Sequence, residues 1–387
     1  MKALNACIAL IISASANAEL IQHTDQIAEV KFEGSSYELG LHVGTVAKEQ
    51  ILDGIDRYND MLGEMLPGLN VISLAKGMQG QNLFLRLKTV SPDAANYIKG
   101  LADSLNRDPH LLLAVGMSDE AVLESQRNGG MGFLQDKPAS ERCTVMGISD
   151  GQGRAWAQAN FDYMGINYEG LIVLNHIDDD GKHRIIQTWA GLIPYGGVNK
   201  GGQPILMNTM ADEGKVREVL DGEIISATST PSYYLSWEAY NTESADELVE
   251  MMAEFPEYSA FFSYTLVDAN ERVLNIENHY NGQTILSSRD RQAHANHSTY
   301  QPEECVKPFT SQCSIDRQNA SEEYMKTADV DTSKEKVQAF AESKPLWKGR
   351  GKYVGTVTST HFRVNGKLVD MYIKTDDEHP EVHIRNH

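Results

Sequence analysis

Positive charge is scarce in this chain: 34 Lys and Arg stand against 54 Asp and Glu among 387 residues, a formal net charge of −20 at pH 7. Phosphate backbones and anionic membrane surfaces repel such a protein, which argues against nucleic acid as a partner. Beyond the first eighteen residues no apolar run reaches the ~18 residues a membrane-spanning helix needs, so no membrane anchor is expected. The glycines between 196 and 202 do not form a G-x-G-x-x-G phosphate loop. Asp178-Asp179-Asp180-Gly181 lacks the spacing of a calcium loop and reads as a solvated turn. His294 and His297 stand three apart but lack an adjacent carboxylate ligand, so no metal and no cofactor is expected. Internal repeats and low-complexity segments are missing too. What remains, 41% hydrophobic and 23% charged residues, is the composition of an ordinary globular protein. Its length suits one large domain or two ordinary ones.

The first eighteen residues read as a secretory signal peptide. Lys2 supplies the positive start, an apolar run through Cys7-Ile8-Ala9-Leu10-Ile11-Ile12 follows, and Ala16-Asn17-Ala18 has the small-x-small form of a cleavage site. The mature chain is then 387 − 18 = 369 residues with charge −21 once Lys2 is lost, and is secreted or periplasmic. Export changes how the few cysteines read. Cys143, Cys305 and Cys313 remain, an odd number in an oxidising compartment. Cys305 and Cys313, eight apart in a polar, loop-like stretch over 301–318, are the natural disulfide pair. Closing so short a loop contributes roughly 2–3 kcal/mol on a chain-entropy estimate. Cys143 is left as a free thiol.

Apolar residues at three- and four-residue spacing predict helices over 46–66 and 91–105, with Ser91-Pro92 as a cap and first turn. Asn128-Gly129-Gly130 and Lys137-Pro138 mark an exposed connector that ends at Glu141-Arg142-Cys143. The period then changes. Strands over 143–148 and 154–160 flank Ser149-Asp150-Gly151-Gln152-Gly153, and further hairpins follow at 171–189, 261–277 and 353–374. Helices are expected at 213–220, 244–254 and 333–342. His379, His383 and His387 form a polar tail, since Pro380 interrupts any helix. Successive hairpins with segregated helices favour layered antiparallel sheet of the α+β class.

Cys143 opens a strand directly after a connector, where a cut would expose it as a new N-terminus. Such a cysteine carries its own base, because a free α-amine has a pKa near 8, close to about 8.5 for a thiol. The second strand of the hairpin ends in Asn160-Phe161-Asp162, which puts Asp162 beside the start of the first strand. Asp162 would then orient or charge-balance the amine. A buried inert cysteine and a solvent-exposed turn aspartate fit these features as well.

Four motifs in order give the chain a resemblance to the penicillin acyltransferase-like family, the acyl-coenzyme A:6-aminopenicillanate acyltransferase relatives among the N-terminal-nucleophile (Ntn) hydrolases. They are the segment from Gly34 through Tyr37 and Gly40 to Gly44; Cys143-Thr144 with Asn160-Phe161-Asp162; Ala190-Gly191-Leu192 with Gly197-Val198-Asn199-Lys200-Gly201 and Asn208; and His294-Ala295-Asn296-His297. Together they run from about residue 32 to 300. The resemblance implies a four-layer αββα sandwich made as a precursor. Autoproteolysis before Cys143 yields an α chain (19–142) and a β chain (143–387). Cys143 is then the nucleophile, Asp162 supports its amine, and Asn296 holds the oxyanion. Asn160, Tyr163 and Asn199 fall at positions the resemblance gives to substrate binding. Two departures stand out. Arg142 replaces the glycine usual before the cysteine, and Ser298 follows His297 where the family often has an aromatic that shapes the pocket.

The function these readings imply is an exported cysteine amidohydrolase that deacylates a small N-acyl amide through a thioester. An N-acyltransferase using the same acyl-enzyme is the alternative, disfavoured because acyl-coenzyme A is scarce outside the cytoplasm. A non-catalytic exported binding protein on the same fold is another, and Arg142 is the feature that favours it.

Overall fold

The computed structural model describes residues 19–65, 69–118, 120, 143–210, 230–255, 258, 262–279, 282–299, 312–351 and 354–386. The leader expected at 1–18, the expected connector with Arg142, the helix expected at 213–220 and Cys305 lie outside the described residues.

Two sheets form the centre. In spatial order the first runs β1 (Leu20–Gln22), β2 (Ile27–Glu33), β5 (Leu171–Ile177), β6 (His183–Trp189), β7 (Ile193–Val198), β8 (Pro204–Thr209), β9 (Phe262–Val267), β10 (Val273–His279) and β11 (Gly282–Arg289). The second runs β12 (Arg291–His294), β3 (Thr144–Ser149), β4 (Arg154–Met164), β13 (Val354–Asn365), β14 (Leu368–Lys374) and β15 (Val382–Arg385). β2 and β5 pair in parallel, and the other pairings between these strands are antiparallel. Strand alternation decides what each face does. On β4, Ala155, Ala157, Ala159, Phe161 and Tyr163 join the main core between the sheets, while Trp156 packs on the opposite face.

Helices cover both outer faces. Against the first sheet lie α1 (Ser36–Val46), α2 (Lys48–Met65), α3 (Val71–Gly80), α4 (Leu83–Val90), α5 (Pro92–Leu105), α6 (Pro109–Gly116), α7 (Ser232–Ala239) and α8 (Ala245–Ala253). Against the second lie α9 (Gln312–Met325) and α10 (Lys334–Ala341), where Met325, Val337 and Leu346 meet Met146, Ile148 and Trp156. The result is the αββα sandwich. No helix among the described residues is long and apolar enough to cross a membrane.

The early glycine-rich segment becomes α1, capped by Ser35, whose hydroxyl accepts from the Glu38 N–H while the Glu38 carboxylate accepts from the Ser35 N–H. Gly40 and Gly100 let α1 and α5 touch backbone to backbone. A Cβ at Gly100 would sit 2.1 Å from the Tyr37 carbonyl oxygen, and one at Gly40 2.1 Å from that of Tyr97. Gly100→Ala is therefore expected to lower the unfolding free energy by about 1–3 kcal/mol, the ordinary cost of overpacking a dense core. A denaturant midpoint measures it.

Two expectations are corrected. The stretch read as a polar loop over 301–318 is helical from Gln312 onward. Its buried face is built from Ser314, Arg317, Gln318 and Ser321, with apolar Met325 only at the last turn, so it shows no apolar period to read. Of the expected polar tail, His379 precedes the edge strand β15, His383 lies on it where it pairs with β14, and His387 lies outside the described residues. His383 lies flat on Tyr372 at 4.4 Å and its Nε2 is 2.7 Å from Asp370.

Candidate active site

Thr144 pairs with Asn160, so Cys143 stands one step outside the ladder, opposite the end of β4. Its φ is +64°, a left-handed conformation unusual for a residue with a Cβ. The buried thiol lies 3.8 Å from the main-chain carbonyl of Asp162, within reach of a weak S–H···O bond. The structure thus brings Cys143 and Asp162 to the same end of one hairpin.

The thiol opens on a cleft of about 540 Å³, its open mouth included, between β4, β7, β8 and α7. Aromatic rings dominate the wall. Trp189 is stacked between Tyr163 at 4.2 Å and Tyr195 at 3.9 Å, and Phe161 meets Tyr195 edge-on at 4.8 Å. Gly196 permits this, since a Cβ there would sit 2.9 Å from the Phe161 ring. Met207, Ile193 and Phe262 complete an apolar surface, with Glu120 its one carboxylate among the described residues.

Asp162 alternates with Phe161 and Tyr163, so its carboxylate faces away from the cleft. Thr356 donates to its Oδ1 at 2.7 Å, and the Lys348 ammonium lies 3.9 Å from Oδ2. A β-bulge at Val357, where β13 skips a register against β4, sits beside this contact.

Asn296 is fixed by two partners of opposite polarity. Arg317 Nη2 donates to its Oδ1 at 2.7 Å, and its Nδ2 donates to the Thr209 carbonyl at 2.5 Å. An arginine only donates and a carbonyl only accepts, so the amide has one orientation and keeps a second N–H. Arg317 is fully buried and also donates through Nη1 to the Cys143 carbonyl and to Thr144 Oγ1 at 2.7 Å. One guanidinium therefore ties the cysteine's main chain to the asparagine amide. The polar face of α9 holds the rest of the turn. Ser314 accepts from the Asn296 N–H and Gln318 from the Ala295 N–H, each at 2.8 Å.

Beneath this turn, burial opposes the charge of Glu277, but bonds from His294 (2.8 Å), Ser298 (2.6 Å) and the Thr299 N–H (2.8 Å) hold its carboxyl below the usual range. Burial, with His294 nearby, pushes His297 down to about 4, so it is neutral at pH 7 beside Ser314. His294 and His297 thus turn to separate partners, and no metal-holding group of three or more His, Cys, Asp or Glu occurs among the described residues. Ser298 points to Glu277 rather than into the cleft.

Of the positions assigned to substrate binding, Tyr163 lines the cleft and the other two do not. Asn160 shares Asp162's face and donates to the Ala341 and Leu346 carbonyls at 2.7 and 3.3 Å. Asn199 organises the turn between β7 and β8, bonding Gln203, Thr242 and the Gly201 N–H. Both amides serve the fold because alternation and turn geometry aim them away from Cys143. Cys313 sits half-buried on α9 without a disulfide among the described residues, its expected partner Cys305 lying outside them.

Arg317 and Lys348 escaped sequence reasoning, as did Trp189 and Tyr195. Only the two aromatics left a signal, flanking the third motif at Ala190-Gly191. No family model matches the chain, and no curated protein matches it. Among solved structures it is similar to penicillin V acylase from Agrobacterium tumefaciens, with 12% identity over 62% of this chain and 86% of that one, at a TM-score of 0.41. A likeness of that degree transfers neither an activity nor a residue's role.

Proposed function

We propose that this protein is an exported Ntn-type cysteine amidohydrolase that removes an apolar acyl group from a small amide. The observation that carries the reading is a thiol on the residue just before β3, opening on an aromatic cleft, with Arg317 joining its main chain to an oriented asparagine amide.

Maturation begins in the uncut precursor. The thiol adds to the Arg142 carbonyl carbon, the Arg142–Cys143 C–N bond breaks, and the acyl part moves to sulfur as a thioester. Water then hydrolyses the thioester, leaving a carboxylate on Arg142 and a free amine on Cys143. The left-handed φ of Cys143 supports this step, because such a conformation costs about 1 kcal/mol that is released when the preceding peptide bond is cut.

In turnover, the α-amine takes the thiol proton, and the thiolate attacks the substrate's acyl carbon. The remaining Asn296 N–H donates to the oxyanion. Collapse expels the substrate amine, which leaves with the proton from the α-ammonium. Water, deprotonated by the same amine, resolves the thioester and releases the acid. Asp162, on the far face of the sheet, serves the amine rather than the thiol.

The apolar cleft argues for a hydrophobic acyl group. N-acyl amides with aryl or branched acyl groups are expected to exceed the N-acetyl compound in kcat/KM by at least about tenfold, since each buried methylene contributes of order 1 kcal/mol. Acid release across such a panel tests this, alongside the intact mass of the protein. An uncut chain that binds the amides without hydrolysing them would favour the binding-protein alternative.

A further inference from the structure

An α-amine acts as a base only while neutral. A free one titrates near pH 8, and a lone carboxylate beside it stabilises the ammonium and moves that value up. On the functional reading above that carboxylate is Asp162, 1% exposed, and it is not alone. The Lys348 ammonium, 17% exposed, lies 3.9 Å from its Oδ2. Lys348 is held there through its main chain. Its N–H donates to Thr356 Oγ1 at 3.0 Å, the Thr356 hydroxyl donates to Asp162 Oδ1, and the Thr356 N–H donates to the Gly349 carbonyl at 3.0 Å.

We infer that Lys348 is a positioning residue that shares Asp162 with the Cys143 amine and keeps that amine in its neutral, proton-accepting form. The inference rests on the reading of Cys143 as a processed N-terminus. A buried carboxylate with one cation already beside it has less field left to trap a second, so the amine stays a usable base near neutral pH. Other charged or titratable groups surround this strand end. Arg317 on α9 bonds the Cys143 carbonyl, and Glu120 lines the cleft. His297 sits near Arg317 and is neutral. Tyr168, raised by burial and by the Asp162 charge, carries Arg350 over its ring at 4.9 Å.

The test compares the wild type with Lys348→Met and Lys348→Arg. With the thiol blocked by methyl methanethiosulfonate, trace acetic anhydride at a series of pH values labels only neutral amine. Mass spectrometry of the peptide beginning at Cys143 then gives the titration. The Met variant is expected to raise the midpoint by about one pH unit, while the Arg variant leaves it in place. The acid limb of kcat/KM for an N-acyl amide should move with it, so that the Met variant loses about tenfold below the limb and converges with the wild type above it. Split chains with the same midpoint in wild type and Met variant overturn this inference alone. Turnover lost equally at every pH with an unmoved midpoint marks a structural lysine and overturns it as well. A wild-type chain never cut before Cys143 overturns the functional reading, and this inference with it.

Discussion

Replacing Cys143 with alanine is expected to leave one uncut chain with no turnover above the buffer rate. On the proposed mechanism the same sulfur attacks the Arg142 carbonyl in maturation and the substrate carbonyl in catalysis, so neither event has a second nucleophile. A buried Cys→Ala change removes little volume, and the fold should persist, with an unchanged circular dichroism spectrum. Intact mass reports cleavage, and acid released from an N-acyl amide reports turnover. A Cys143→Ala protein still split at that bond would mean that an outside protease matures it. One that also still hydrolysed the amide would remove the thiol from the mechanism.

Asn296→Ala is expected to lower kcat by about 10²–10³, the usual cost of one oxyanion donor. Asn296→Asp sharpens the test. Aspartate keeps the side chain's size and its bond from Arg317, yet offers no N–H to the oxyanion and turns an acceptor toward the Thr209 carbonyl. Both variants should therefore lose turnover to a similar degree while binding substrate with KM altered much less. Equal activity in Asn296→Asp and the wild type would mean that the amide only shapes the turn. Maturation should suffer less than turnover, because the Arg142 carbonyl need not occupy the substrate's position.

What was legible in the chain was whatever a local period encodes. The Cys143 hairpin is an example: the turn at 149–153 sets its register, and that register carries Asp162 to the start of β3. The same period-2 rule separates two residues that the family resemblance had grouped. Asn160 and Asp162 are both even-numbered on β4 and share the outer face, whereas Tyr163 faces the cleft. Alternation alone would have withdrawn Asn160 from substrate binding. Long-range pairing is another matter. Lys348 and Thr356 meet Asp162 only because β13 pairs with β4, and no local pattern announces a contact across so much chain. Arg317 was hidden for a different reason. Its helix buries polar residues to satisfy the Asn296 turn, so its sequence imitates a solvated loop. The site is thus least readable where buried polar groups replace the apolar stripe that normally marks a helix.

The central claim is that Cys143 is an N-terminal residue that carries the acyl group during turnover. Acid-quenching the wild-type protein in the steady state with an N-arylacyl amide, followed by mass spectrometry of the separated chains, tests it directly. The account expects a chain that begins at Cys143, with an acyl adduct on the peptide containing that residue, lost on treatment with hydroxylamine as a thioester would be. Turnover by an uncut chain, or an adduct on any other residue, would contradict it.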